Sequence, residues 1–297
     1  MMKPYGLFFL PALILFSCIG NKKDTIDAQI SDTPNSGKIS ISVDASFLPL
    51  LNDEVTIFEK ETPNAKIELV MLSESKGIQD FLDKKNRAII TTRKLSNDEI
   101  KFGKQNDLNP LHFFIAFDAV LLIINKENPD SVFTSNEIRE VIEGNSTKEI
   151  SVVFNSNGSG EIQFFKNLYN LNKLPSNFFA TNNLTELIKY ILTHKSAIGV
   201  IGLSNMLYNT DSLTEKVKIV SIRNSNGNKY LPTETNIRSG YYPFRREVYI
   251  VCGESWPGLG TGFAKFMTTD IGQTIIKRAG LIPARLSLRM IEVKKDF

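Results

Sequence analysis

Short β-branched runs and amphipathic stretches alternate along most of the chain. Residues 38–43, KISISV, alternate apolar and polar positions as a strand does, and residues 50–63 carry apolar side chains at helical spacing up to Pro63. Ser96, with Glu99 three residues later, predicts a helix that begins with a capping box. The alternation also predicts strands at 66–72, 87–92, 150–154, 197–202, 216–222 and 286–293, and helices at 76–85, 135–144, 161–170, 184–195 and within 258–284.

Two apolar runs lack the polar alternation of a half-exposed strand. Residues 119–124, AVLLII, and 197–201, AIGVI, are apolar throughout, which predicts burial on both faces, as in parallel sheets. Strands that alternate with helices and are covered on both faces are typical of an α/β protein built from three-layer lobes.

Two extended stretches, at 113–124 and 241–251, are predicted to cross between two lobes. Two crossings leave the N-terminal segment in the same lobe as the C-terminus. We therefore expect lobe 1 to comprise residues 38–118 and 245–297, and lobe 2 to comprise residues 119–244. This topology is typical of a hinged binder whose ligand lies in the cleft between the lobes.

The first 18 residues indicate export and a lipid anchor. An apolar run from Leu7 to Phe16 follows Lys3 and is too short to span a bilayer about 30 Å thick as a helix. The sequence LFSC at its end matches a bacterial lipobox, in which Cys18 is diacylated and becomes the mature N-terminus; the alternative is an ordinary signal peptide with an incidental cysteine. The polar segment 19–37 is predicted to be a disordered tether. We expect a bacterial protein of the periplasm or cell surface.

Composition excludes several classes of function. The 35 Lys and Arg residues nearly balance the 32 Asp and Glu residues and are dispersed, so neither a nucleic-acid stripe nor an acidic tail is present. Apart from Cys18 the chain has only Cys252, which lies in an apolar strand-like run and is expected to be a buried core residue. His112 and His194 lie far apart, so we predict no metal site, no catalytic triad and no cofactor.

The polar turn FNSNGSGE, residues 154–161, lies between a predicted strand and a predicted helix. Backbone N–H groups at a helix N-terminus, with the Ser159 hydroxyl beside them, can hold an anion. The carboxylate of Glu161, however, lies where such an anion would sit. The same residues also fit a plain turn into a helix, with Glu161 as a first-turn acid stabilised by the helix dipole.

Seven segments occur in the order of one known family. They are residues 44–69, 90–100, 117–145, 157–165, 196–205, 241–251 and 262–284. In their amino-acid sequences and in their order along the chain, these segments resemble the phosphate-binding, periplasmic solute-binding protein family of ABC importers. The resemblance covers nearly the whole mature chain and implies a type II periplasmic-binding-protein fold, with two three-layer lobes joined by a two-strand hinge.

The resemblance implies a set of ligand-binding residues. Ser46 and Phe47 match the family's hydroxyl-plus-aromatic pair at the start of the first helix, and Ser159 and Gly160 match the Ser-Gly of its anion cradle. Without the family, Ser46 would be taken as an N-cap and Phe47 as an ordinary core residue. The full candidate set is Ser46, Phe47, Ser75, Thr91, Thr92, Arg93, Asn155, Ser159, Gly160 and Glu161.

Three positions depart from the family's pattern. Arg93 stands where phosphate-specific members have an aspartate, Asn155 replaces an arginine, and Glu161 replaces a threonine. We hypothesise that Glu161 accepts a hydrogen bond from a protonated oxyanion while Arg93 holds its other oxygens. The alternative is that Glu161 turns outward and the cradle is empty. Arg246, in the Tyr-Pro-x-x-Arg motif, is expected to brace the hinge without touching ligand.

The sequence therefore predicts a lipid-anchored, monomeric binding protein that closes on a small oxyanion, with phosphate as the best single ligand, and presents it to ABC permease subunits. The alternative is a ligand-sensing or scaffold lipoprotein of the same fold with an altered pocket. An enzyme is poorly supported, because no histidine accompanies Ser159 and NGSGE is not a nucleophile-elbow pattern.

Overall fold

The protein is built on a mixed β-sheet, which the computed structural model describes over residues 32–155, 159–207 and 216–285. Within these residues the main sheet contains β1 (Ser36–Val43), β2 (Asn64–Met71), β3 (Ala88–Thr91), β4 (Leu111–Asn125), β6 (Val152–Asn155), β7 (Phe178–Thr181), β8 (Ile198–Gly202), β9 (Val217–Ile219), β12 (Arg245–Cys252) and β13 (Ile282–Pro283). Its strand order is β2-β1-β3-β12-β4-β8-β6-β7, with β9 and β13 also paired to β4. A small second sheet has the order β11-β10-β5, from Lys229–Tyr230, Ser221–Arg223 and Val132–Thr134.

Helices cover the sheet and follow the predicted positions closely. They are α1 (Leu48–Glu61), α2 (Glu74–Leu82), α3 (Asn97–Gln105), α4 (Ser135–Glu143), α5 (Ser159–Leu168), α6 (Leu184–Thr193), α7 (Leu203–Leu207), α8 (Glu234–Arg238), α9 (Leu259–Met267) and α10 (Asp270–Arg278), with a 3₁₀ turn at Ala45–Phe47 before α1. The predicted capping box of Ser96 and Glu99 is present at the start of α3. In the described part of the chain, no helix is long and apolar enough to cross a membrane.

Strand β4 is the central element, because it is paired along its whole length with strands from both halves of the chain. Its first part pairs antiparallel with β12, from Leu111 opposite Cys252 to Ala119 opposite Arg245. Its last part pairs antiparallel with β8, from Val120 opposite Gly202 onward. The predicted burial of residues 119–124 is confirmed, since every one of them is fully buried. Their pairing with β8 is antiparallel, so the inference of parallel neighbours was wrong for β4, although β6, β7 and β8 do pair parallel.

The two largest clusters of buried apolar side chains contain opposite ends of β4. One core packs residues from Ile39 to Ala116 with others from Val248 to Leu281, including Phe47, Phe58 and Phe263. A second core packs residues from Ala119 to Phe244 together with Ile282. The strands β4 and β12 are the segments that join these two lobes. The division at 118/119 and 244/245 stays a prediction that the composition of the two cores supports.

Residues 216–222, predicted as one strand, form two strands in different sheets. The N–H of Val220 donates to the carbonyl of Leu122 at 2.8 Å, whereas the N–H of Ser221 donates to the carbonyl of Ser131 at 3.0 Å. The chain therefore leaves β4 and joins β5 within one residue. Local periodicity cannot report such a change of partner. The predicted closing strand at 286–293 lies outside the described residues.

The predicted tether, residues 19–37, extended too far toward the first strand. Asp32 is buried, pairs with Arg87 and accepts a hydrogen bond from the Trp256 indole N–H at 3.1 Å. Pro34 lies against α9 so closely that a Cβ at Gly262 would come 2.0 Å from its carbonyl oxygen. Residues 32–37 therefore pack on lobe 1, because a buried aspartate with a cationic partner fixes the chain there.

Candidate ligand-binding site

A buried ion pair joins the two strands that connect the lobes. Arg246 on β12 lies directly opposite Asp118 on β4, and its Nε donates to Asp118 Oδ2 at 3.1 Å, with a second bond from Nη2 to the same oxygen. Both side chains are almost fully buried, at 2% and 0% exposure. A buried charge is tolerated only when it is paired and hydrogen-bonded, so this pair fixes the two strands against each other.

Glu161 brings lobe 2 into the same cluster. It lies in the first turn of α5, is 3% exposed, and its Oε1 lies 3.2 Å from Arg246 Nη2. Because the Arg246 pair holds this carboxylate inside, the alternative in which Glu161 turns outward is wrong. The guanidinium of Arg246 thus contacts carboxylates from β4 and from α5 at once.

Two glycines make room for this contact. A Cβ at Gly202, at the end of β8, would lie 2.7 Å from Glu161 Oε1 and 3.1 Å from Arg246 Nη2. A Cβ at Gly160 would lie 3.2 Å from Arg246 Nη1 and 3.9 Å from Glu74 Oε2. Such distances are at or below van der Waals contact, so side chains at these positions would push the ion pair apart. Gly160 therefore lies beside the ion pair, and its role in ligand binding stays a prediction.

Lobe 1 contributes two more buried acids, Asp44 and Glu74. Asp44 precedes the 3₁₀ turn and its Oδ1 accepts the backbone N–H of Ser46 at 3.0 Å as well as the Ser46 hydroxyl. Glu74, the first residue of α2, accepts the N–H of Thr92 and its hydroxyl, the latter at 2.9 Å. We call Asp44, Glu74, Asp118, Glu161 and Arg246 the Arg246 cluster.

The Arg246 cluster holds more potential negative charge than positive charge. Burial raises the pKa of Glu161 to about 7; Arg246 opposes this effect, and Asp44 and Asp118 add to it. Burial also raises the pKa of Asp44 against the hydrogen bonds from Ser46 and the charge of Arg246. Within the cluster, burial therefore favours the protonated forms of Glu161 and Asp44, which the charge of Arg246 opposes.

Three polar atoms in this region are buried without a hydrogen-bond partner among the described residues. They are Asp44 Oδ2, Ser204 Oγ and Arg246 Nη1. A Cβ at Gly202 would lie within 3.2 Å of Ser204 Oγ as well as near Arg246, which places the hydroxyl beside the ion pair. Buried polar atoms without a hydrogen bond are rare in native proteins and lower the stability of the fold, so we expect each of these atoms to have a hydrogen-bond partner.

A cavity of about 520 Å³ opens next to the cluster. It is bounded by residues 92–94 of lobe 1, by Phe164 and Leu168 on α5, and by Arg245 and Tyr249 on β12. Glu74 and Arg246 line this cavity as well and so connect it to the cluster. We call it the interlobe groove.

The predicted residues of the first helix and the β3 loop are placed as follows. The N–H groups of Ser46 and Phe47 both donate to Asp44, and the Phe47 ring is part of the lobe 1 core. The N-cap of the turn is thus Asp44 and not Ser46. Thr91 is buried, and its hydroxyl donates to the Arg93 carbonyl at 2.7 Å. Thr92 lines the groove and is bonded to Glu74.

The remaining candidates separate into those near the cluster and those away from it. Arg93 lines the groove, but both of its Nη atoms donate to Glu99 at 2.8 Å, so the structure gives Arg93 and Glu161 different partners. Ser75 is exposed on α2. Asn155 ends β6, and Ser159 begins α5.

The structure describes one of the two cysteines. Cys18 lies outside the described residues. Cys252 is buried at the end of β12, which confirms the prediction of a core residue.

Sequence reasoning missed Asp44, Glu74, Asp118 and Ser204 as members of the site. One signal was available for Asp118, because it is a lone charge inside the apolar run FFIAFDAVLLII, and a charge in a buried strand requires a partner. Arg246 was expected to brace the hinge without touching ligand. Its bonds to Asp118 on the neighbouring strand agree with the bracing role, whereas its Nη1, without a partner among the described residues, leaves a donor that a ligand could use. The sequence alone does not reveal its contact with Glu161.

Comparison with known proteins identifies the family. Residues 28–270 match the model of the PBP superfamily domain. The curated phosphate-binding protein PstS of Borreliella burgdorferi is 23% identical over 93% of this chain and 96% of its own length.

Two solved structures show the same fold. A substrate-binding protein of Clostridium perfringens with bound phosphate has a TM-score of 0.69, with 24% identity over 84% of this chain and 100% of its own. An ABC-type phosphate transport receptor of Vibrio cholerae has a TM-score of 0.68, with 19% identity over 83% of this chain and 100% of its own.

These similarities confirm the predicted α/β architecture of two lobes joined by a two-strand hinge, the type II periplasmic-binding-protein fold. The relatives are named as binding proteins of transport systems, which agrees with the prediction that the chain is not an enzyme. Since the family model covers most of the chain, from within the predicted tether to the start of α10, this protein belongs to the PBP superfamily.

Proposed function

We propose that this chain is an extracytoplasmic solute-binding protein that binds a small oxyanion, phosphate before others, in the interlobe cleft for uptake by an ABC permease. The observation that carries the proposal is the Nη1 of Arg246, a buried cationic donor beside Gly160 at the start of α5 that has no hydrogen-bond partner among the described residues. An oxyanion supplies the acceptors that this donor lacks. The names of the relatives, phosphate-binding and phosphate-transport proteins, support phosphate as the first ligand to test.

The protons of the Arg246 cluster define which oxyanion fits. Glu161, with a pKa of about 7, exists near neutral pH as a mixture of the acid and the carboxylate. Phosphate titrates in the same range, so Glu161 and the anion can share one proton in a charge-assisted hydrogen bond. Sulfate carries no proton there, and an ionised Glu161 at about 4 Å would repel it by about 4 kcal/mol for each unit of its charge at an effective dielectric of about 20.

Calorimetry of a lipid-free chain with phosphate and with sulfate tests this proposal. We expect the wild type to bind phosphate and to reject sulfate, and Glu161→Gln to weaken phosphate and admit sulfate, because the amide offers a donor. Glu140→Gln on the exposed face of α4 is the matched control and should leave both affinities unchanged. If neither anion binds the wild type, the oxyanion proposal is wrong.

Ligand binding is proposed to close the two lobes about β4 and β12. Small-angle scattering should then show a smaller radius of gyration with saturating phosphate than without it. A radius that stays the same although calorimetry detects binding would contradict the hinge part of the proposal.

The lipid anchor at Cys18 is a separate part of the proposal. It rests on the lipobox LFSC and on the apolar run before it. Labelling with a radioactive fatty acid should mark the wild type and Cys252→Ala but not Cys18→Ser, which should leave the membrane fraction or remain uncleaved. Equal labelling of Cys18→Ser would favour the ordinary signal peptide.

A second candidate is a ligand-sensing or scaffold lipoprotein of the same fold that delivers nothing to a permease. It is favoured by one observation, the burial of the Glu161 carboxylate against Arg246 at the predicted anion cradle. Uptake of labelled phosphate in cells with and without the chain distinguishes the two candidates. Uptake that does not depend on the chain, together with phosphate binding in vitro, would support the sensing role.

A further inference from the structure

The interlobe groove is larger than a single tetrahedral oxyanion needs. Its volume of about 520 Å³ lies in the range of about 300–1,000 Å³ that is typical of pockets for small organic ligands. A water molecule takes about 30 Å³ in the liquid, so an anion the size of a few waters leaves most of the groove unfilled. The groove is therefore large enough for a ligand that carries an organic group.

The charges along the groove favour an anionic ligand. Four cationic side chains line it, Arg93, Lys94, Arg245 and Arg246. The three arginines are paired with carboxylates, whereas Lys94 has no ion pair among the described residues and is the cation available to a ligand. Lys94 Nζ lies 5.7 Å from the centre of the Tyr249 ring, which holds the ammonium over the groove wall. Arg246 lines the groove and belongs to the Arg246 cluster, and we call the part of the groove at Arg246 its inner end. An anionic group bound there lies near the Nη1 for which the described residues offer no partner.

The wall formed by α5 offers apolar surface to the same space. Leu168, the last residue of α5, is 45% exposed and lines the groove. Phe164 lies one turn earlier on the same helix and lines the groove, and the Tyr249 ring lies on β12. Aromatic and aliphatic groups beside a few charged groups are typical of sites for small organic molecules.

We infer that the interlobe groove binds the organic part of a small phosphate monoester, whose phosphoryl group lies at the inner end beside Arg246 and the start of α5. This inference rests on the proposed function, because it uses the same anion position. The ester carbon chain extends along Leu168 and Phe164, while Lys94 adds to the attraction for the phosphoryl group, which shares a proton with Glu161 as inorganic phosphate does.

Glycerol 3-phosphate and inorganic phosphate are the two probes of this inference, compared by calorimetry on the same lipid-free chain. We expect glycerol 3-phosphate to bind at least about tenfold more tightly, because its carbon chain covers apolar surface that phosphate leaves wet. Inorganic phosphate binding as tightly as the ester, or more tightly, would overturn the inference and leave the proposed function standing. Failure of both probes to bind would refute the proposed function itself.

A substitution that fills the groove makes the test specific to this cavity. Leu168→Trp should reduce the affinity for glycerol 3-phosphate by at least about tenfold while changing that for phosphate by less than about threefold. Leu174→Trp, at another exposed leucine, is the matched control and should change neither affinity. Equal losses for both probes in Leu168→Trp, with unchanged melting curves, would contradict a separate place for the organic group.

The cationic side of the groove gives a second, independent variant. Lys94→Gln should weaken glycerol 3-phosphate, and the loss should shrink as the salt concentration rises, because the interaction is electrostatic. Lys101→Gln on the exposed face of α3 is its control. An unchanged affinity in Lys94→Gln at low salt would remove Lys94 from the site.

Discussion

Glu161 Oε1 and Arg246 Nη2 lie 3.2 Å apart, and this buried contact ties the first turn of α5 to the strand pair that joins the lobes. Arg246 is at the same time bonded to Asp118 on β4. One guanidinium thus connects lobe 2 with both connecting strands. A substitution in the Arg246 cluster should therefore change the free energy of unfolding as well as the affinity for ligand.

Removing the cation should destabilise the protein strongly. Arg246→Met leaves Asp118 and Glu161 buried without their partner, which should lower the free energy of unfolding by about 3–5 kcal/mol. Urea denaturation followed by circular dichroism measures this loss. Arg139→Gln, which removes the exposed pair with Glu143 on α4, is the control and should cost less than about 1 kcal/mol. Similar small losses in both variants would show that the Arg246 pair does not hold the strands.

The raised pKa of Glu161 should appear in the pH dependence of stability. Its pKa rises from 4.5 in the unfolded chain to about 7 in the folded one, so the folded state binds the extra proton between these values. The contribution is complete below about pH 4.5 and is lost as the pH rises through about 7. Glu161→Gln should therefore gain stability relative to the wild type from pH 5 to pH 8, as measured by thermal melting. A constant difference over this range would contradict the raised pKa.

The close approach at Gly202 should not tolerate a methyl group. Gly202→Ala places a Cβ 2.7 Å from Glu161 Oε1, and we expect a loss of about 1–3 kcal/mol in the free energy of unfolding. Gly77→Ala on α2 is the control, since its Cβ would meet Ser42 at an ordinary 3.4 Å. In a helix this exchange should be neutral or gain up to about 1 kcal/mol. Equal stability of the two variants would mean that the ion pair can shift without cost.

A buried acid far from the candidate site provides a further test. Glu54 on α1 is fully buried, and neither carboxyl oxygen has a hydrogen-bond partner within the described chain. Burial, with a smaller effect from Asp53, raises its pKa to about 9. The folded state then binds a proton that the unfolded chain releases above about pH 4.5, so stability falls as the pH rises from 4.5 toward 9.

The variant Glu54→Gln should remove this part of the pH dependence. Between pH 4.5 and pH 7 the wild type should lose roughly 3 kcal/mol more than the variant, at about 1.36 kcal/mol for each pKa unit. Glu61→Gln, exposed on the same helix, should behave like the wild type. Parallel pH profiles of Glu54→Gln and the wild type would show that Glu54 is ionised in the folded protein.

The sequence by itself determined the order of the elements and the class of fold. Apolar periodicity and capping residues act within a few positions, and for that reason the helices after Ser96 and Thr134 begin where the sequence predicts. Their local hydrogen bonds, such as those of the Ser96 and Glu99 box, need no distant partner. The resemblance of the ordered segments added the two-lobe topology.

Only the tertiary structure decided which charges meet. Arg246 pairs with Asp118, 128 positions away, and with Glu161, 85 positions away, whereas Arg93 pairs with Glu99 close by. A charge seen in sequence carries no preference among distant partners, because the energy of a pair depends on distance and burial, which the folded backbone sets. The inward position of Glu161 follows from the same cause, since the space left by Gly202 and the charge of Arg246 exist only once β8, β12 and α5 have come together.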